Sequence, residues 1–521
     1  MGFETAKSGL NVAQKALDIV GNNLSNIDTA GYTRQRVHTN SLAPSAYSTR
    51  VGTSRIGLTG QGVEAIGVSQ TRDAFLDKRF RDEYSTASYN SQASNILTDI
   101  QAALGDANNV SLGGDVLAQA YQQIYKALNS FTADSTSTPN ANLVLSSFNN
   151  VTQVIQMLNG KLDQVLEQQN YDLEITVDRV NNVLSQIAHL NDAISRDATV
   201  VQNPDNEYFR PNELLDQRNL LLDELASYGD ISITPLKDGT VNVTMGGHQV
   251  VSGREYVGIN MNVDTNNQVT KLYWQDSGEV IQLSGGALLG YTDFINGRGA
   301  NMQQQGETIK QGIPYYKDRL DTLARTLAGV VNNVIPDMEA LDPDHPEVMT
   351  QKVDENGNLM YKQLLAAKTP DGKTDSTIPV TAANISVSDA WAQGGAEYFI
   401  SETGNNINAS YSEQLKNILT EGKTDFISYG ETFTGNFEEY LLDYTGKIGS
   451  DTAFYNSRTT ITSGVADELL DSRDAISAVS ESEETVSMMT YEKSFNAISR
   501  VMTTLDDLLE TLINRTGRVG L

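Results

Sequence analysis

Residues 3–27 read FETAKSGLNVAQKALDIVGNNLSNI, and residues 488–512 read MMTYEKSFNAISRVMTTLDDLLETL. In the first stretch Phe3, Ala6, Leu10, Ala13, Leu17, Val20, Leu24 and Ile27 follow one another at alternating steps of three and four. In the second, Met488, Tyr491, Phe495, Ile498, Met502, Leu505, Leu509 and Leu512 do the same. That period keeps one face of a helix turned toward a partner helix. Gly9 and Gly21 each cost the first helix about 1 kcal/mol against Ala, and Gly31 marks its stop. Ser480 with Glu483 offers a capping box ahead of the second helix, Gly517 offers its end, and a rise of about 1.5 Å per residue makes it about 50 Å long. Two seams of equal length at the two ends of one chain predict that the ends pair as a coiled coil. Ala6 and Ala13 bury little beside the ~1.5–3 kcal/mol of a Leu or Phe. Such a pair is marginal alone and needs neighbouring subunits to complete its burial.

Working outward, helical periodicity covers 71–104, 114–131, 142–198 and 212–228. From 230 the period changes to two: Ile231 and Ile233, then Val241, Val243 and Met245, alternate around the turn pair Asp238-Gly239. Helix returns near 287, and Tyr316, Leu320, Leu323, Leu327, Val330 and Val334 form a third heptad stripe that Pro336 ends. Over 337–449 helical periodicity fades into turn signals such as Asn356-Gly357 and Asp371-Gly372, which reads as an inserted mixed or β-rich domain. The expected fold is mainly α with β-containing insertions, nested about its ends. Residues 1–70 with 480–521 form a terminal coiled-coil domain, and 71–229 with 287–336 and 450–479 form a helical core. Residues 230–286 form a small β region, and 337–449 an outer insert.

Composition narrows the function. The chain has 521 residues, 37 Lys plus Arg against 66 Asp plus Glu, and a formal charge of −29. That field repels phosphate backbones, so a nucleic-acid partner is not expected. No apolar run approaches the ~20 residues of a membrane span. Cysteine is absent, which removes disulfides, Cys-based metal sites and thiol nucleophiles. The first thirty residues lack the apolar core of a cleaved signal peptide, so residence in the cytosol or export without cleavage is expected.

The search for chemistry finds none. His38, His189, His248 and His345 are the only histidines, and none begins a His-Glu-x-x-His run. His345 lies among Asp342, Asp344 and Glu347, but Pro343 and Pro346 make that stretch a turn-rich loop, and Glu347 stands where a calcium loop needs Gly. Gly422-Lys423-Thr424 and Gly372-Lys373-Thr374 resemble P-loop endings, yet Asn417 and Ala367 occupy the required first glycine. Gly60-Gln61-Gly62 has no third glycine in register. No catalytic residue, metal site or cofactor is expected.

The dense polar run Gly21-Asn22-Asn23-Leu24-Ser25-Asn26, with Thr29 and Gly31-Tyr32, resembles the N-terminal signature of bacterial flagellar axial proteins, the rod, hook and hook–filament junction subunits. Gly31-Tyr32-Thr33-Arg34-Gln35 is most similar to the junction members. So are Glu484, Met488-Met489, Tyr491, Ser494-Phe495, Ala497 and Ser499-Arg500-Val501-Met502 at the other end, and internally Leu214-Leu215-Asp216-Gln217-Arg218-Asn219 and Ser284-Gly285-Gly286. Tyr491-Glu492-Lys493 stands where hook and rod subunits usually carry a Gln-Arg pair. The likeness is close over about the first seventy and last forty residues and weak over 337–449.

What the resemblance implies is a structural subunit outside the cell, in the flagellum at the hook–filament junction, exported without a cleaved signal and escorted by an export chaperone that binds the C-terminal region. It would assemble into a ring between hook protein and hook-associated protein 3. The assembly interface would comprise Leu10, Ala13, Leu17, Val20, Leu24 and Ile27 with Met488, Tyr491, Phe495, Ile498, Met502, Leu505, Leu509 and Leu512. Asn22, Asn23, Ser25, Asn26, Thr29, Gly31 and Tyr32 would set the turn out of the first helix and its register. A hook or distal rod subunit, and a wall-active enzyme carried in the insert, are the alternatives.

Overall fold

A computed structural model describes residues 2–42, 62–105, 116–202, 208, 210–264, 269–299, 309–342, 345–400, 405–428 and 431–515. Helix α1 (Gly2–Ser25) and the last helix, α12 (Glu481–Arg515), lie against each other. Between them the chain leaves through a ribbon that sequence periodicity does not announce. β1 (Gln35–Ser41) pairs antiparallel with β2 (Val63–Gln70), Gln35 opposite Gln70 and Ser41 opposite Val63. Of the expected 1–70 coiled-coil segment, part is therefore β ribbon packed on α1.

The helical body follows. α2 (Ala74–Leu104) starts at Asp73, whose carboxylate accepts from the backbone N–H of Phe75 and Leu76, satisfying donors that a helix start leaves open. α3 (Val116–Ala133) leads to α4 (Thr138–Arg196), which has Ser137 as N-cap and Pro139 in its first turn. α4 has 59 residues, a rod of about 88 Å. The short α5 (Ala198–Gln202) and α6 (Asn212–Tyr228) follow.

The alternating stretch then forms β3 (Ile231–Pro235), β4 (Val241–Met245), β5 (His248–Ser252) and β6 (Glu255–Tyr256) in one antiparallel meander. β7 (Ile259–Asp264) and β8 (Val269–Trp274) form a separate hairpin. Val241, Val243 and Met245 are buried while the residues between them are half-exposed, the expected half-buried strand.

α7 (Ala287–Asn296) and α8 (Ile313–Val331) return to the helical body. Of the third heptad stripe Tyr316, Leu320, Leu323 and Leu327 are buried on α8, and Val334 is buried just beyond it.

The expected insert is mixed rather than β-rich. Its strands are short: β9 (Met338–Asp342), β10 (His345–Gln351), β11 (Leu365–Lys368), β12 (Thr374–Asp375), β13 (Ile385–Val387), β14 (Thr424–Ser428) and β15 (Glu431–Gly435). They alternate with α9 (Asp389–Phe399) and α10 (Asn405–Thr420). The boundary expected at 450 falls inside a helix, because α11 runs Phe437–Ser477. Its start is a capping box, with the Asn436 side chain accepting from the Glu439 N–H and the Glu439 carboxylate accepting from the Asn436 N–H.

Two apolar cores result. One joins α2, α3, the first half of α4, α8, α9 and the start of α11, so that Leu365, Ile385, Trp391 and Phe399 of the insert pack with Phe131, Phe148 and Ile155. The other joins the second half of α4, α6, α7 and the β3–β8 strands around Val180, Leu184, Val243 and Trp274.

Gly286 shows how closely α6 and α7 are joined. Its φ is +87°, and a Cβ there would lie 2.3 Å from both the Gly229 nitrogen and the Tyr228 carbonyl carbon. Gly286→Ala should lower stability by about 1–3 kcal/mol, from left-handed strain plus displacement of the α6 terminus. Gly278→Ala, at φ +67° with open space around it, should lose less. Urea denaturation of both variants separates the two effects.

Candidate functional site

α1 and α12 are antiparallel. A Cβ on Gly2 would lie 3.5 Å from Leu505 Cδ1, a Cβ on Gly9 3.1 Å from Ile498 Cδ1, and Asn23 reaches Glu484. Ala16 and Tyr491 wall one groove between these points. The contact line on α1 is therefore Gly2, Ala6, Gly9, Ala13, Ala16, Val20 and Asn23, again a step of four and three, but composed of small residues. Of the expected seam, Ala6, Ala13 and Val20 lie on it and are buried. Leu10, Leu17 and Leu24 flank it and are half-buried, while Phe3 and Ile27 are exposed. The reason is size: small residues let the two backbones approach, so large side chains of α12 fill the α1 groove and the α1 leucines turn aside.

On α12 the expected positions keep their face. Met488, Tyr491, Phe495, Ile498, Met502 and Leu505 are half-buried, whereas Leu509 and Leu512 are exposed by 45% and 60%. Val486, Met489, Val501, Leu508 and Ile513 are exposed on the rest of α12, so this helix carries more apolar surface than α1 covers.

The polar run closes the end of the pair nearest the body. Asn23 is 1% exposed, and its amide does three things. Nδ2 donates to the Gln35 carbonyl at 3.0 Å and to Glu484 Oε2 at 3.1 Å, while Oδ1 accepts from the Gln35 N–H at 3.0 Å. It thus replaces a ladder partner for the first residue of β1. Tyr32 donates its hydroxyl to Asn23 Oδ1 at 2.9 Å and accepts from Asn22 Nδ2 at 3.2 Å. Burial, with Asp216, Glu213 and Glu484 nearby, pushes the Tyr32 hydroxyl up to about 12, so it remains a donor at neutral pH. Asn26 Nδ2 donates back to the Asn22 carbonyl at 2.9 Å, and Thr29 Oγ1 donates to Asn26 Oδ1 at 3.2 Å. Ser25 only donates to the Gly21 carbonyl on an exposed face. Gly31 has φ +78°, and a Cβ there would overlap Leu220 of α6.

Glu484, 1% exposed, also accepts from Arg34 Nε at 2.7 Å, and Arg34 Nη1 reaches Glu483 at 2.5 Å. A carboxylate this buried is tolerable because a cation and an amide satisfy it. Arg34, Gln35 and Glu484 tie the two ends together and are positions that the heptad reading passed over. The signal was present: Glu484 continues the Met488–Leu505 seam at the next step of four, a carboxylate where the pattern asks for an apolar residue.

Behind this junction the pair is tied to the body. The Arg34 N–H donates to the Ser477 carbonyl at 2.8 Å, and the Thr71 N–H donates to the Arg34 carbonyl at 2.8 Å. Arg72 holds Asp77 bidentately at 2.7 and 2.9 Å and reaches Thr33 at 3.2 Å. Asp223 receives Arg81 and Arg473, both at 2.6 Å. The Leu214–Asn219 run belongs to the same scaffold. Asp216, raised above the usual carboxylate range mainly by burial, accepts from Gln70 at 2.7 Å. Arg218 donates to Asn191 Oδ1 at 2.9 Å and to the Gly239 carbonyl at 2.8 Å. Burial lowers its guanidinium to about 10.

No group of three or more metal-ligating side chains occurs among the described residues. Asp344 lies outside them, as do the side chains of Asp342, His345 and Glu347; the backbone of 345–351 is strand β10. Gly60 and Gln61 also lie outside. Lys423 sits in the turn between α10 and β14, and Lys373 in the turn before β12. Among the described residues no helix is long and apolar enough to cross a membrane.

Residues 90–336 match the family described as flagellar hook-associated protein FlgK helical domain. Residues 3–33 match the flagella basal body rod protein family, and 474–515 the C-terminal family of the flagellar basal body rod FlgEFG proteins. Flagellar hook-associated protein 1 of Bacillus subtilis is 27% identical over 100% of this chain and 99% of its own length. The Salmonella typhimurium protein of the same name is 23% identical over 98% of each chain. That of Escherichia coli is 29% identical over 48% of this chain and 43% of its own. Among solved structures, the flagellar hook junction protein FlgK from Burkholderia pseudomallei has a TM-score of 0.42 and 18% identity, over 56% of this chain and 46% of that one. The paired ends match axial-protein families, the helical body matches the FlgK helical domain, and over its full length the chain is similar to flagellar hook-associated protein 1 of Bacillus subtilis.

Proposed function

We propose that this chain is a structural subunit joining the flagellar hook to the filament, built into a ring through its terminal helices and having no catalytic role. The observation that carries this is the incomplete burial of the terminal pair. Leu10, Leu17 and Leu24 on α1 and Met488, Tyr491, Phe495, Ile498, Met502 and Leu505 on α12 stay half-buried within one chain, and Leu509 and Leu512 stay exposed. Side-by-side stacking of copies would remove that area from water at about 25 cal/mol per Å², and ordering entropy would oppose it. The neighbours proposed are hook protein on one side and hook-associated protein 3 on the other. The route is export without signal cleavage, with an export chaperone on the C-terminal region, and the site of action is extracellular.

Electron microscopy of cells lacking the gene tests the reading. Completed hooks without filaments are expected. Absent hooks would move the chain to the rod or hook, and unaltered flagella would refute the assignment.

A further inference from the structure

We propose that Asn23 and Glu484 are positioning residues that fix the register of the terminal helix pair against a slip of one heptad. The apolar contacts alone leave that register undecided. Gly2, Gly9 and Ala16 are seven residues apart and face Leu505, Ile498 and Tyr491, also seven apart. Sliding α1 seven residues toward the free end of α12 would set Gly9 against Leu505 and Ala16 against Ile498, small against large as before. Leu509, now exposed, would gain cover, and Met488 would lose it. The shift is about 10 Å at 1.5 Å per residue, a distance that the segment 26–34 can span when extended. The opposite slide would drive Asn23 onto Ser477 and into α11. One alternative register thus keeps the small-against-large pattern of the seam.

Along the seam itself the polar pair is what differs between the two, while the β1–β2 ribbon that packs on α1, with the Val63 N–H donating to Ser8 Oγ, adds a contact of its own to the observed register. In the observed register Asn23 Nδ2 meets a buried carboxylate that Arg34 also holds. After a heptad slip Asn23 would face Tyr491, and Glu484 would lose its amide donor. A single buried polar pair in an otherwise repetitive seam selects register because each wrong pairing strands a desolvated group. Asn23 also carries both backbone bonds of Gln35, so the same side chain that reads α12 fixes where β1 begins.

The chain has no cysteine, so introduced thiol pairs report register without background. In the purified full-length protein, Gly9→Cys with Ile498→Cys should join through a short thiol-to-thiol cross-linker, and Gly9→Cys with Leu505→Cys should not. Adding Glu484→Leu should move the yield ratio toward the 9/505 pair by about tenfold or more, the scale of one lost charge-assisted hydrogen bond. Glu484→Gln, which keeps an acceptor for Asn23, should retain the 9/498 pattern. Glu484→Leu combined with Tyr491→Glu places the carboxylate one heptad along and should make 9/505 the main product. If Glu484→Leu only separates the helices and gives neither product, the relocated carboxylate decides: recovery at 9/505 supports the proposal, and no recovery overturns it. Equal yields with Glu484 present, or a ratio that neither variant moves, also overturn it. These readouts stand on the free chain. Only the consequence, that a slipped pair presents the wrong surface to neighbours, rests on the proposed function, and the deletion phenotype tests that separately.

Discussion

Phe495→Asp is expected to leave hooks without filaments while the two apolar cores of the body stay folded. Phe495 is half-buried on the face of α12 that α1 covers, and the flanking apolar positions are open to further cover. A carboxylate there keeps its hydration in the free chain and must give it up when copies close around it. An uncompensated buried charge costs about 3–5 kcal/mol, a penalty that falls on assembly rather than on folding of the body. Leu24→Asp, on the α1 flank, should share the phenotype. Electron microscopy of cells carrying each variant, with near-ultraviolet circular dichroism of the purified proteins, checks both halves. Filaments of normal number would refute the interface, and a lost dichroism signal would mean that the body depends on these helices.

The second large effect concerns stability. Trp391 of α9 is fully buried, 5.6 Å from the Phe148 ring of α4 and 5.5 Å from Phe399. Trp391→Ala should cost about 3–5 kcal/mol, the range for emptying a large aromatic site. Because the same cluster holds Phe131, Ile155, Leu323 and Tyr440, the lost stability should appear as one earlier transition covering helical body and insert together. Calorimetry in which the insert alone melts early, with the remainder unshifted, would show that the two fold separately.

How much was legible follows from which signals are local. The terminal helices were, because a 3,4 spacing repeated along eight residues has no other simple reading, and so were the strands around Asp238-Gly239. The rotation of α1 was not. Phe3, Leu10 and Leu17 outweigh Gly2, Gly9 and Ala16 on any hydrophobic scale, yet close approach favours the small stripe, and that preference depends on the partner. β1 escaped because QRVHTNS carries only Val37 as an apolar residue and its partner begins twenty-two residues after it ends. The start of α11 escaped although Asn436 and Glu439 spell a capping box, because Gly446 and Gly449 interrupt the helical signal behind it. The site's polar centre was half legible. Asn22, Asn23 and Tyr32 stand out as a polar run and Arg34 and Glu484 enter through the resemblance, but that Arg34 and Glu484 pair with each other shows only when the ends of the chain meet.

α4 has a mechanical consequence. Its first half belongs to the core that holds Phe148 and Trp391, and its second half to the core that holds Val180 and Trp274. No flexible linker separates the two cores along this helix, since 59 residues run through both without a break. A twisting load applied to one core passes to the other through a hydrogen-bonded rod, with α6 and α7 bracing its far half. The two cores should therefore turn as a single lever arm, and a glycine pair placed midway along α4 would convert that stiff arm into a universal joint.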